Sequence, residues 1–182
     1  LVAGIGIAAL LGWALGFPFL ASLGPGMIPV APSTAAMFIL YGAALFLRAR
    51  MQKSRAASWT GLAIMIAGAT AASFLLMVSL QSMQPDVEHL GFSIVNRPGE
   101  TPVGHMSPVT AFCFLLSSLS YLLSLPSSAG GSWRGTLAWL LASVVIAISV
   151  LLSLAYLYGR PLLYDSSFIP PAAPTSVAFL AL

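Results

Sequence analysis

Apolar residues fall in long runs separated by short polar or Gly/Pro-rich stretches. The runs predict helices from Leu1 to about Leu15, Pro32 to Leu47, Trp59 to about Leu80, Pro108 to about Leu125 and Trp133 to about Tyr158, with a sixth opening at Pro174. Several approach the ~20 residues a helix needs to cross a ~30 Å hydrocarbon layer. They lack the alternation of a membrane barrel strand. From Leu140 to Leu154 the chain is apolar on every side, which argues helix. Gly16 and Pro18 end the first run, and Gly24-Pro25-Gly26 is turn chemistry. Pro32 suits a first helical turn, and Ser33 and Thr34 are expected to help satisfy its open N–H groups.

One short pattern recurs at the helix starts. Ile28-Pro29-Val30-Ala31-Pro32-Ser33-Thr34 is followed by Phe38, and Ile169-Pro170-Pro171-Ala172-Ala173-Pro174-Thr175 by Phe179. Met106-Ser107-Pro108-Val109-Thr110 is a shorter copy followed by Phe114. In each copy the phenylalanine lies four residues after the threonine. The threonines are 76 and 65 residues apart, a difference that repeats place in their loops. Gly16-Phe17-Pro18 also matches Gly159-Arg160-Pro161, with Trp13 and Tyr156 three residues before each glycine. The expected fold is all-α, a polytopic membrane protein of six transmembrane helices in three pseudo-repeated hairpins, 1–49, 58–126 and 133–182. The sixth run holds nine residues from Pro174 to Leu182, roughly half a bilayer of helix. The parent chain is therefore expected to continue past both ends. The opening run lacks the basic region of a signal peptide.

Composition agrees with a lipid solvent: 59% of the 182 residues are hydrophobic and 6% charged, against roughly 25% charged in soluble domains. Charge placement gives a direction. The loops after the second and fourth runs hold Arg48, Arg50, Lys53, Arg55 and Arg134 and no acid, whereas Asp86, Glu88, Glu100 and Asp165 lie in the other loops with Arg97 and Arg160. The positive-inside rule makes the first set cytoplasmic and puts both ends and the three Pro-Thr helix starts on the cytoplasmic and outer sides respectively. Trp13, Trp59, Trp133, Tyr156 and Tyr158 lie near run ends, where aromatic belts form. Seven basic residues are too few to track nucleic acid. The partner is the lipid bilayer of a bacterial inner membrane.

Candidate chemistry is sparse. If the hairpins pack with pseudo-symmetry, Thr34, Thr110 and Thr175 meet at helix N-termini and could line a polar or anionic ligand pocket. The plainer alternative is that Pro and Thr start helices and the hydroxyls bond to backbone. Arg97, Glu100, His105, Arg160 and Asp165 form an expected outer-loop polar cluster, with a solvated surface pair as the default for its ions. Both histidines, His89 and His105, fall in the long outer loop, which disfavours a bis-histidine haem within the spans. With Glu88 and Asp86 they offer metal-binding side chains but no ligand spacing, and read as solvated loop residues. No cofactor is assigned. The third, fourth and fifth spans carry no interior charge, which argues against a pump or ion-coupled carrier. There is no nucleophile elbow, phosphate loop, cysteine pair or zinc-helix motif. Cys113 reads as a small core residue and Gly4-x-Gly6 as helix packing.

The stretches Gly16-x-Pro18, Ile28 to Ala35, Gly104 to Ala111 and Tyr158 to Tyr164 give the chain a likeness to a known family. It resembles the N-terminal membrane sensor region of bacterial sensor histidine kinases and diguanylate cyclases. That resemblance implies a last helix leading to cytoplasmic PAS, kinase or cyclase modules, and a homodimer. It carries over no catalytic residue and no ligand. The expected function is a sensory input module of a signal-transduction protein. The alternative is an accessory or structural subunit of an integral membrane complex, photosynthetic or respiratory. A carrier of an uncharged lipophilic substrate is a third reading.

Overall fold

The computed structural model describes residues 1–22, 24, 27–51, 54–81, 85–92, 94, 103–125, 132–158 and 169–182. Among these the chain is all-helical: α1 (Val2–Leu15), α2 (Pro18–Ser22), α3 (Pro32–Arg50), α4 (Arg55–Leu80), a 3₁₀ turn (Asp86–His89), α5 (Pro108–Leu123), α6 (Ser132–Leu157) and α7 (Ala173–Leu180). Helices α3 and α4 and the stretch Trp133–Leu157 of α6 are long and apolar enough to cross a membrane. Apolar α1 and α5 are shorter, 14 and 16 residues.

The three repeated helix starts share one local geometry. The residue three before each threonine is extended: Ala31 at φ −60, ψ 144, Ser107 at φ −69, ψ 147 and Ala172 at φ −69, ψ 147. Proline disfavours helical geometry in the residue before it and is pre-set for the first helical turn, which fixes the point where Pro32 and Pro108 begin their helices. In α7 the proline stands one place later. Side-chain capping differs from expectation. Ser107 Oγ accepts the Thr110 N–H at 3.1 Å, but α3 has no side-chain cap, and Ser33 Oγ is buried without a hydrogen-bond partner. Two further differences are local. Pro18–Ser22 forms the short α2 inside an expected loop. Helix α4 starts at Arg55, earlier than expected, because Ser54 caps it by accepting the Ala57 N–H.

Consecutive long helices pack side by side. Helix α1 lies on α3, α4 bridges α3 and α5, α6 bridges α5 and α7, and α7 closes back on α1. Within this ring α3, α5 and α7 each present one phenylalanine to the centre. Phe38, Phe114 and Phe179 touch pairwise, with ring centroids 4.8, 5.1 and 4.8 Å apart in tilted or edge-on contact. All three are buried. Tyr41, one turn below Phe38, shares a hydrogen bond with Ser118 and donates to the Phe114 carbonyl.

Small residues bring the outer helices close. A Cβ on Gly6 of α1 would stand 2.5 Å from the Ala35 carbonyl oxygen, and one on Gly68 of α4 would stand 2.5 Å from the Tyr41 ring. Gly4, paired with Gly6 in the sequence reading, faces open space. The outward faces of α4 and α6 are apolar, with Trp59, Phe74, Met77, Trp139, Leu151 and Leu157 exposed. An apolar surface of that extent belongs against lipid or another protein rather than water.

The aromatic centre yields a stability prediction. Phe114→Ala removes three ring contacts at once, to Phe38, Tyr41 and Phe179, and is expected to cost about 3–5 kcal/mol, whereas Phe114→Leu, which refills most of the volume, costs clearly less. Thermal unfolding in one detergent compares them; equal midpoints for the two variants would show that the triad is not a packing centre.

Candidate functional site

The helix starts and the phenylalanine triad position a small polar cavity at one end of the bundle. Thr34, Thr110 and Thr175 all line it, together with Ser107 and His105 and the backbone around Pro29, Ala31 and Pro170–Ala172. The three threonines are 2, 3 and 1% exposed. The cavity leaves about 10 Å³ for the centre of a water-sized sphere, near the lower limit for one water molecule. Thr110 Oγ1 shares a hydrogen bond with Ser107 Oγ at 2.9 Å.

Each start is tied to the chain at the position four before its threonine. The Trp13 indole N–H donates to the Val30 carbonyl at 2.8 Å. The Tyr156 hydroxyl donates to the Pro171 carbonyl at 2.5 Å. At the middle start the tie is a carboxylate: Glu88 Oε2 accepts the Met106 N–H.

Glu88 belongs to a buried cluster that the sequence reading left in solvent. Glu88, His89 and His105 are 4, 8 and 8% exposed. His105 Nδ1 faces Glu88 Oε1 at 3.7 Å, too far for a hydrogen bond, and is a buried nitrogen without a partner. The two Nε2 atoms of His89 and His105 are hydrogen-bonded at 3.3 Å, with rings 4.6 Å apart. One Nε2 must carry the proton and the other must accept it, so a doubly protonated pair would set two N–H groups head to head. Gly104 makes this close approach of the tilted rings feasible. It sits at φ 89, and a Cβ there would come within 2.4 Å of Ile94 and 3.1 Å of the His89 ring. Asp86 is fully exposed and stands 4.0 Å from His89 Nδ1. Among the described residues no three His, Cys, Asp or Glu side chains converge as metal ligands would.

Of the expected outer-loop cluster only His105 is described; Arg97, Glu100, Arg160 and Asp165 lie outside the described residues. The sequence reading missed Glu88 as a buried tie. The signal available was its placement, two residues into a Pro85-initiated turn beside His89.

The opposite end of the bundle has its own polar contact. Arg48, at the end of α3, donates to Ser124 Oγ at 2.6 Å and to the Ser124 carbonyl at 2.9 Å, and its guanidinium lies 4.8 Å over the Tyr121 ring. A cation is well placed at a helix C-terminus, where carbonyls lack partners. A larger cavity of about 200 Å³ lies beside it, against Tyr41, Met65, Val145 and Leu182. Its walls are mainly apolar, and it shares no lining residue with the threonine cavity.

Compared with protein-family models, curated proteins and solved structures, the chain matches none.

The histidine pair sets a pH dependence. Burial, reinforced by the charge of His105, lowers the His89 pKa from its ordinary 6.5, with Asp86 and Glu88 pulling the other way. The unfolded chain then binds this proton at a higher pH than the folded one. The contribution to stability is present above pH 6.5 and is lost as pH falls through the lowered value. Thermal midpoints measured from pH 8 to pH 5 should fall at the acid end, and His89→Gln should flatten that fall; an unchanged slope in the variant would remove His89 as its source.

Proposed function

We propose that this chain is a six-helix sensory input module in a bacterial inner membrane, passing a signal to a cytoplasmic effector through its last helix. The observation that carries this reading is the meeting of three repeated Pro-Thr helix starts over one buried polar cavity. The described residues around that cavity supply hydrogen-bonding groups and a histidine, but no nucleophile with a base and no metal set. Such an arrangement suits recognition better than turnover.

In this reading α1, α3, α4, α5, α6 and the segment opened by α7 are the six spans, folded as three hairpins. The threonine cavity, with Glu88 and His105 above it, faces outward. The Arg48–Ser124 end faces the cytoplasm, in keeping with the positive-inside rule. A ligand or charge change at the cavity would favour one arrangement of α3, α5 and α7 over another, and the differential contact would bias the effector joined to α7.

Two measurements test it. Single cysteines at Ser58 and Val87, both exposed, should be labelled by an impermeant maleimide from the cytoplasmic and outer sides respectively; native Cys113, 1% exposed, should stay silent. In the intact signalling protein, T34V/T110V/T175V should change effector output several-fold without loss of membrane insertion. Unaltered output, or solute transport by the reconstituted chain alone, would sink the sensory reading.

A further inference from the structure

We propose that His89 and His105 form a proton-binding site of single occupancy, and that acid on the outer side of the membrane is the input it reports. The second half rests on the sensory reading and names its stimulus; the site itself stands or falls separately from that reading.

The two rings stand in a row between two carboxylates. Asp86 Oδ1 lies 4.0 Å from His89 Nδ1, the two Nε2 atoms are hydrogen-bonded at 3.3 Å, and His105 Nδ1 lies 3.7 Å from Glu88 Oε1. The row runs from the fully exposed Asp86 to the buried Glu88, so it joins solvent to the tie before α5. Glu88 Oε2 is taken by the Met106 N–H, which leaves Oε1 to face His105.

The tautomers follow from this order. With one proton on each ring, one Nε2 donates and the other accepts. If His105 donated, its bare Nδ1 would face a carboxylate oxygen, acceptor against acceptor. The opposite assignment puts the His105 proton on Nδ1, toward Glu88, and lets the His89 Nε2–H donate to His105. His89 Nδ1 then holds the one uncommitted lone pair of the two rings, on the side of exposed Asp86. A proton arriving there makes His89 an imidazolium that still donates to His105. Passing the Nε2 proton across the bond leaves His89 neutral and makes His105 the imidazolium, facing Glu88. One proton enters, nothing leaves, and the bond between the rings survives in either form. A second proton gives both Nε2 atoms hydrogens and neither an acceptor, so it has to break the pair.

Few other charges surround the pair. The 3₁₀ turn supplies Asp86 and Glu88, whose opposite charge favours a cation between them, while burial opposes it. Helix α3, which packs on this turn, carries no ionisable side chain from Pro32 to Leu40, and α5 carries none from Pro108 to Phe112. Burial and the charge of His105 lower the His89 pKa, so one ring charges at a lower pH than the other. His105 also lines the threonine cavity, at the starts of α3, α5 and α7. A cation there meets three partially positive helix ends. Charged and neutral forms therefore favour different arrangements of those helices, the differential contact that a switch needs.

The full chain is purified in lipid nanodiscs with nitrogen-15 histidine, and its two histidines are followed by magic-angle-spinning NMR from pH 8 to pH 4. One ring should take on the imidazolium signature while the other keeps a bare nitrogen, and the second should charge only after at least about a tenfold further rise in acidity. In His105→Gln the remaining His89 should charge in one step, at a higher pH than the second step of the unaltered pair; if that variant does not assemble, His89→Gln gives the same comparison for His105. Both rings charging at one pH, neither charging by pH 4, or a single-histidine variant that titrates where the second step did would each overturn the site. In the intact signalling protein, effector output should change several-fold between outer pH 8 and pH 5 and lose that response in His89→Gln. Output indifferent to outer pH, or a response that His89→Gln retains, would keep the proton site and reject acid as its input. Output altered by the threonine substitutions in a protein whose two rings titrate independently would keep the sensory reading and reject the site.

Discussion

The contact among Phe38, Phe114 and Phe179 sets the rest of the bundle. Lipid tails are as apolar as side chains, so helices in a membrane gain little from burial and associate through fit, dispersion and hydrogen bonds. Three rings in tilted and edge-on contact supply fit with a defined geometry. On an α-helix, residues four apart share a face. Drawing the three rings to one point therefore draws Thr34, Thr110 and Thr175 to one point a turn above. The polar cavity is a geometric corollary of the aromatic centre, and the extended backbone at Ala31, Ser107 and Ala172 places the three starts at a common depth.

The outer helices brace this centre without sharing in it. Gly6 and Gly68 let α1 and α4 come within backbone distance of α3 and of Tyr41. Helix α6, by contrast, shows Trp139, Leu151 and Leu157 to the outside. At the far end Arg48 ties α3 to the last turn of α5. Helices α3 and α5 are thus linked at both ends, around the cavity above and at the Arg48–Ser124 contact below.

Much of this was legible in the sequence because it depends on periodicity. Apolar runs bounded by Pro and Gly give the helices to within a few residues, and the Thr-x-x-x-Phe spacing foretells which side chains converge. Three features were illegible for physical reasons. Ser33 sits where a cap is expected but has no partner, because the residue with capping geometry is Ala31. Glu88 and the histidines read as solvated since polar residues in a loop usually are; their burial depends on the Met106 amide 18 residues away and on the fit allowed by Gly104. The short α2 follows from Pro18, which ends one helix in the sequence reading and begins another in the structure. The span number and the hairpin grouping rest on the repeat and on charge placement.

The ties at the three helix starts differ in kind. Two join a carbonyl to an aromatic donor, Trp13 to Val30 and Tyr156 to Pro171. The third joins the Met106 amide to the Glu88 carboxylate. Two ties are made by neutral aromatic donors, whereas the third is made by a carboxyl group that lies beside two imidazoles. Of three near-equivalent spokes, one differs in its chemistry. The nearly threefold set of helix starts is therefore chemically asymmetric, with α5 as its odd member.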